Sequence, residues 1–177
     1  MTALIRIDRG AADGFGGTVT GADRPRPIRF CSRCGHPADE AARRPVVRGR
    51  VCERCGMGML LTCSREALPG DAASFLIASF DLTVSAVSEA GEKIFGQQGS
   101  LIGRPVLDLI GSPLGDDQLA RYIGQAAQRA CEPVVMPARL VSGESSRRVG
   151  TMAARIATCG PPRAALVTVE PSEFGRR

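Results

Sequence analysis

Tryptophan is absent from this 177-residue sequence, tyrosine occurs once and phenylalanine six times. A core built from it rests on Leu, Ile, Val and Ala rather than on large aromatic side chains. Also missing is any run of about 18 apolar residues, which argues against a transmembrane helix. The opening MTALIRIDRGAADG breaks on Asp and Arg after a few residues, so no signal peptide is expected and the chain reads as cytoplasmic. Histidine is limited to His36. An enzyme would need a nucleophile beside a base, paired carboxylates, a phosphate loop or an open metal site. GFGG at 14–17 lacks the strand, helix and lysine of a phosphate loop, and Asp116-Asp117 suits a helix start. The sequence is therefore read as non-enzymatic.

The formal charge of +5 is unevenly distributed. Residues 1–30 carry five Arg against three Asp, residues 31–64 six Arg against three acids, and residues 65–177 twelve bases against twelve acids. The excess of +2 and +3 thus falls entirely in the first 64 residues. A bound tetrathiolate metal centre would contribute about −2 there, leaving a weak footprint for nucleic acid.

Four of the seven cysteines lie in CSRCGHPADEAARRPVVRGRVCERCG, residues 31–56. Cys31 and Cys34 are separated from Cys52 and Cys55 by 17 residues, a C-x2-C-x17-C-x2-C spacing within the range for four-cysteine zinc sites. Two sulfurs three residues apart can reach one ion from a tight turn, with Gly35 and Gly56 relieving the backbone directly after each pair. ARRPVVRGRV between the pairs suits a strand returning the chain to the metal. The module resembles a zinc ribbon, and in one so short metal binding is expected to contribute much of the folding free energy. Structural zinc is the first reading; iron in a rubredoxin-like cage and a redox dithiol are its rivals. Four protein ligands leave no open position for catalysis. His36 reads as an exposed loop residue, Cys63 as a buried small residue, and Cys131 and Cys159 as core or strand residues. Met57 and Met59 read as packing between the module and the larger C-terminal region.

Along the chain, residues 1–27 read as a flexible arm rich in Gly, Asp and Arg, 28–64 as the zinc-ribbon module, 65–72 as a connector and 172–177 as a tail. The remainder, 73–171, alternates strand-like and helix-like segments. Strands are expected at 74–80 and 83–88, around Asp81-Leu82. A short helix comes next, with Ser88 as N-cap and Gly96 just past its end. Beyond it lie a turn at Gly103-Arg104-Pro105, a helix starting at Asp116-Asp117 with Leu119, Tyr122, Ile123 and Ala126 at helical spacing, and strands at 133–141, 147–159 and 163–171. This order makes an α+β class, with helices segregated from an antiparallel sheet.

FLIASFDLTVSAVSEAGEKIFGQQGSLIGRPVLDLI resembles the first half of a PAS domain, above all in the pairing of EKIFG with LIGRPVLDLI. The resemblance spans about residues 72–171. It implies a five-stranded antiparallel sheet with short helices on one face, used for sensing and protein contact, with an unidentified protein partner and a homodimer as expected partners. No haem or flavin motif is recognised, since 72–171 contain no histidine and no Asn-Cys-Arg-Phe-Leu-Gln type segment. A small apolar ligand pocket is expected, if anywhere, near Leu107, Ile110 and Ile123. Two readings compete with a zinc ribbon joined to a PAS unit for ligand sensing or protein interaction. One is a transcriptional regulator that contacts nucleic acid through Arg24, Arg26, Arg29, Arg33, Arg43, Arg44, Arg48, Arg50 and Arg54. The other is a thiol or iron redox sensor. No membrane association is expected.

Overall fold

The segment at 164–169, AALVTV, is apolar at all but one position, where a strand with one wet face would alternate. Such a run suits a strand covered on both sides, and all six residues are buried. The computed structural model describes residues 27–38, 50–70, 72–141 and 152–171. Most of the expected N-terminal arm, the C-terminal tail and most of ARRPVVRGRV lie outside them.

Eight strands are found among the described residues: β1 Ile28–Cys31, β2 Leu60–Cys63, β3 Ser74–Ala78, β4 Val84–Val87, β5 Ile110–Gly111, β6 Val134–Leu140, β7 Met152–Gly160 and β8 Ala164–Pro171. The helices are α1 Glu89–Phe95, α2 Gln98–Leu101 and α3 Asp116–Gln128. Single 3-10 turns lie at Arg65–Ala67 and Val106–Asp108. Every strand pairing is antiparallel. The main path runs β1-β2-β7-β8-β3-β4, with β6 also on β7 and β5 on β6.

This corrects the expectation of a five-stranded sheet with a separate ribbon. Strand β7 is nine residues long. β6 pairs with it only from Met152 to Ile156. The end of the same edge takes β2, through Thr62 opposite Gly160 and Cys63 opposite Cys159. The cysteine module therefore enters the larger sheet by backbone pairing.

Because side chains alternate along strands, the sheet has two cores. One face presents Leu76, Ala78, Ala154, Ile156, Ala165 and Val167 to the helices, where Leu119, Ile123 and Ala126 of α3 pack. On the opposite face Phe75, Ile77, Cys159 and Leu166 meet Phe30 of β1, Leu61 and Cys63 of β2, and Ala67. The rings of Phe30 and Phe75 meet edge to face, with centroids 6.0 Å apart at 75°. In this aromatic-poor chain the packing of the module onto the sheet centres on that pair.

Helix α1 begins at Ser88, whose Oγ accepts the Gly91 amide at 2.9 Å, and its C-cap is Gly96, as its sequence predicts. The β3–β4 turn is held by Asp81, whose carboxylate accepts from the Ser79 and Thr83 hydroxyls and the Thr83 amide. These bonds keep Asp81 below the usual carboxylate range.

Candidate metal centre

Each Cys-x-x-Cys pair closes the same local turn. Gly35 N–H donates to Cys31 O at 3.0 Å, and Gly56 N–H to Cys52 O at 2.9 Å. Both glycines have positive φ, +72° and +68°, which L side chains rarely adopt. The two turns are clasped together at Ser32, whose N–H donates to Met59 O at 2.8 Å and whose Oγ accepts the Met59 amide at 3.0 Å. Cys52 N–H to Gly58 O at 2.8 Å and Leu60 N–H to Arg50 O at 2.7 Å close the second hairpin on itself.

This clasp gathers the sulfurs of Cys31, Cys34, Cys52 and Cys55 within 4.8 Å of one another. Cys31 and Cys55 sulfurs are 3.6 Å apart, and those of Cys34 and Cys52 are 3.9 Å apart. A tetrahedron with metal–sulfur bonds of about 2.3 Å has edges of about 3.8 Å. The separations fit that edge and are far longer than a disulfide bond of about 2.05 Å. All seven cysteines are free thiols.

The surroundings also suit thiolate ligands. Amides of Arg33 and Cys34 donate to Cys31 Sγ at 3.3 and 3.4 Å, and the Gly58 amide donates to Cys55 Sγ at 3.4 Å. A Cβ placed on Gly58 would overlap Cys31 Sγ and lie 2.7 Å from Arg33 Cβ. Residue 58 must be glycine for the second turn to close over the first.

The thiols are electrostatically unequal. Burial pushes Cys31 up to about 12 and raises Cys34. The amides of Met57 and Gly58 bring Cys55 down to about 6. An acidic and a resistant thiol therefore share one cage, and a bound cation would draw sulfur charge and favour the thiolate form.

Of the arginines proposed to contact phosphate, Arg29, Arg33, Arg50 and Arg54 lie among the described residues. Arg33 pairs with Glu92 of α1 at 2.8 Å, and its carbonyl accepts the Glu89 amide at 2.8 Å, tying the first turn to the helix. Arg54 Nη1 lies 2.6 Å from Nδ1 of His36, so that histidine, expected as a plain exposed loop residue, is half-buried beside an arginine. Arg50 is exposed and Arg29 half-buried. Arg24, Arg26, Arg43, Arg44 and Arg48 lie outside the described residues.

Met57 and Met59 correct the sequence reading. They are 73% and 47% exposed, so neither serves as packing between module and sheet. That role falls to Phe30, Leu61, Cys63 and Ala67. Ile110 and Ile123 are fully buried in the helix-side core, and Leu107 packs at its margin. Sequence reading missed Gly58 and the Arg33–Glu92 bridge. The CGMG string held a signal for the first; the second, 59 residues apart, had none.

No family model and no curated protein matches the chain. Among solved structures, one described as "Crystal structure of a PAS domain from two-component sensor histidine kinase" superposes with a TM-score of 0.40 at 12% identity. The alignment covers 60% of this chain and 91% of that one. Among the described residues, no helix is long and apolar enough to cross a membrane.

Proposed function

We propose that the chain is a non-enzymatic sensory or regulatory protein, in which a four-cysteine cage holding structural zinc is joined to a PAS-like unit that recognises a protein partner or small ligand. The carrying observation is the convergence of four sulfurs within 4.8 Å from two matching turns. Cys31, Cys34, Cys52 and Cys55 would hold the ion, which as a closed tetrathiolate supplies folding free energy rather than an open coordination site. For the larger part, the support is the run of β3, β4, β6, β7 and β8 in one antiparallel sheet with α3 against one face, as the sequence resemblance implies. The nucleic-acid alternative draws less support, because Arg33 and Arg54 already meet Glu92 and His36.

Native mass spectrometry of the full chain tests this reading. One zinc per chain is expected, lost in Cys52→Ser with Cys55→Ser. Gly58→Ala should lower occupancy and destabilise the module by about 1–3 kcal/mol through overpacking. Unchanged metal content in the double serine variant would overturn the metal assignment, and iron in place of zinc would replace its identity. The same spectrum reports a homodimer.

A further inference from the structure

Three cysteines take no part in the cage, and all three line one cavity. It measures about 420 Å³ and is bordered by Cys63, Cys131, Cys159, Thr62, Thr158 and Arg163 among others. Cys63 on β2 and Cys159 on β7 stand directly opposite each other in antiparallel register. They are 4% and 3% exposed and belong to the same face of the sheet. Opposed residues in an antiparallel pair have Cα atoms about 4.5 or 5.5 Å apart, depending on the hydrogen-bonding site. Both values fall inside the range of about 4.4–6.8 Å over which a disulfide spans two Cα atoms.

We infer that Cys63 and Cys159 form a redox-modifiable pair, which a low-molecular-weight disulfide admitted through this cavity converts to a cross-strand disulfide. In the first step one cysteine, losing its proton, attacks a sulfur of the small disulfide. That S–S bond breaks and one small thiolate leaves, taking up the proton. The second cysteine then attacks the protein sulfur of the mixed disulfide, and the second small thiol leaves. Two protein thiols are oxidised, and one small disulfide is reduced to two thiols.

The location gives the reaction a structural consequence. The pairs Thr62–Gly160 and Cys63–Cys159 are the register contacts through which β2 joins β7. Oxidation would turn this short seam between module and sheet into a covalent one. The Cys131 sulfur faces Thr158 Oγ1 at 3.6 Å instead of facing another strand's cysteine in register. Burial pushes Cys63 and Cys159 up to about 12, so exchange is slow at neutral pH.

The test is incubation of the full-length protein, metal content as purified, with oxidised glutathione at about pH 9, where more thiolate is present. Thiols are then counted after denaturation, and peptides are mapped without reduction. The expected result is a fall from seven thiols to five, a Cys63–Cys159 linked peptide, and full reversal by dithiothreitol. Cys131→Ser should keep the link and Cys159→Ser should abolish it. Mapping on the unsubstituted protein is decisive even if a variant folds poorly. A link through Cys131, a link within the cage, or an unchanged count of seven would overturn the inference. None of these cysteines is a proposed metal ligand, so the metal assignment stands or falls separately.

Discussion

Cys63 and Cys159 are thiols held neutral by burial, and this has a cost at alkaline pH. Each is pushed up to about 12 in the fold from an ordinary value of 9.0. Between those values the native chain binds more protons than the unfolded one, so stability falls as pH rises. Their contribution is complete below about pH 9 and lost by about pH 12, with a slope approaching 1.4 kcal/mol per pH unit for each thiol. Urea midpoints of the reduced protein should therefore drop between about pH 9 and 11, and Cys63→Ala with Cys159→Ala should flatten that decline. The four cage ligands were legible in the sequence because two Cys-x-x-Cys-Gly turns carry their own geometry. The Cys63–Cys159 pairing was not, since the partners are 96 positions apart and only strand register brings them together. Met57 and Met59 misled for a related reason: apolar character alone does not say which side of a turn meets the sheet.

Helix α1 shows how much one hydroxyl can organise. Besides capping Gly91, Ser88 Oγ accepts the Phe75 amide of β3 and donates to the Ala73 carbonyl, both at 3.0 Å. Removing it leaves both the helix end and a buried strand amide without a partner. Ser88→Ala should cost about 2–3 kcal/mol in chemical denaturation, above the cost of about 1 kcal/mol for an ordinary cap. A larger loss of cooperativity than of midpoint would contradict this assignment. The cap, the helix end at Gly96 and the span of α3 were readable because capping chemistry and apolar spacing are local. Helix α2 was not, being four residues long with no side-chain cap. β1 and β2 also escaped notice, because four-residue strands take their definition from the partner they meet. On β6, Pro137 lacks an amide hydrogen, and its carbonyl accepts the Ser112 hydroxyl at 2.8 Å. A proline there limits pairing by another chain along that edge.

At the scale of the whole molecule, the cysteine module and the larger sheet are joined by three kinds of bond. They are the β2–β7 pairing, the Arg33–Glu92 bridge, and the face containing Phe30, Phe75 and Leu166. Metal removal should therefore not melt the module as a separate early step. Calorimetry with and without a strong chelator should show one transition moving to lower temperature, with intrinsic near-ultraviolet and secondary-structure signals shifting together. Two separated transitions would show that the joint is weak. The α+β class and most of the strand order were within reach of sequence periodicity, whereas the second core was announced only by the nearly continuous apolar run at 164–169 of β8. That run carries a practical consequence. Trimming the first 64 residues to isolate the rear half would strip the covering from Phe75, Ile77 and Leu166 and leave an oily, adhesive plane. Whoever wishes to study the larger half in solution must keep its cysteine-rich shield, or repaint the plane beneath with polar side chains.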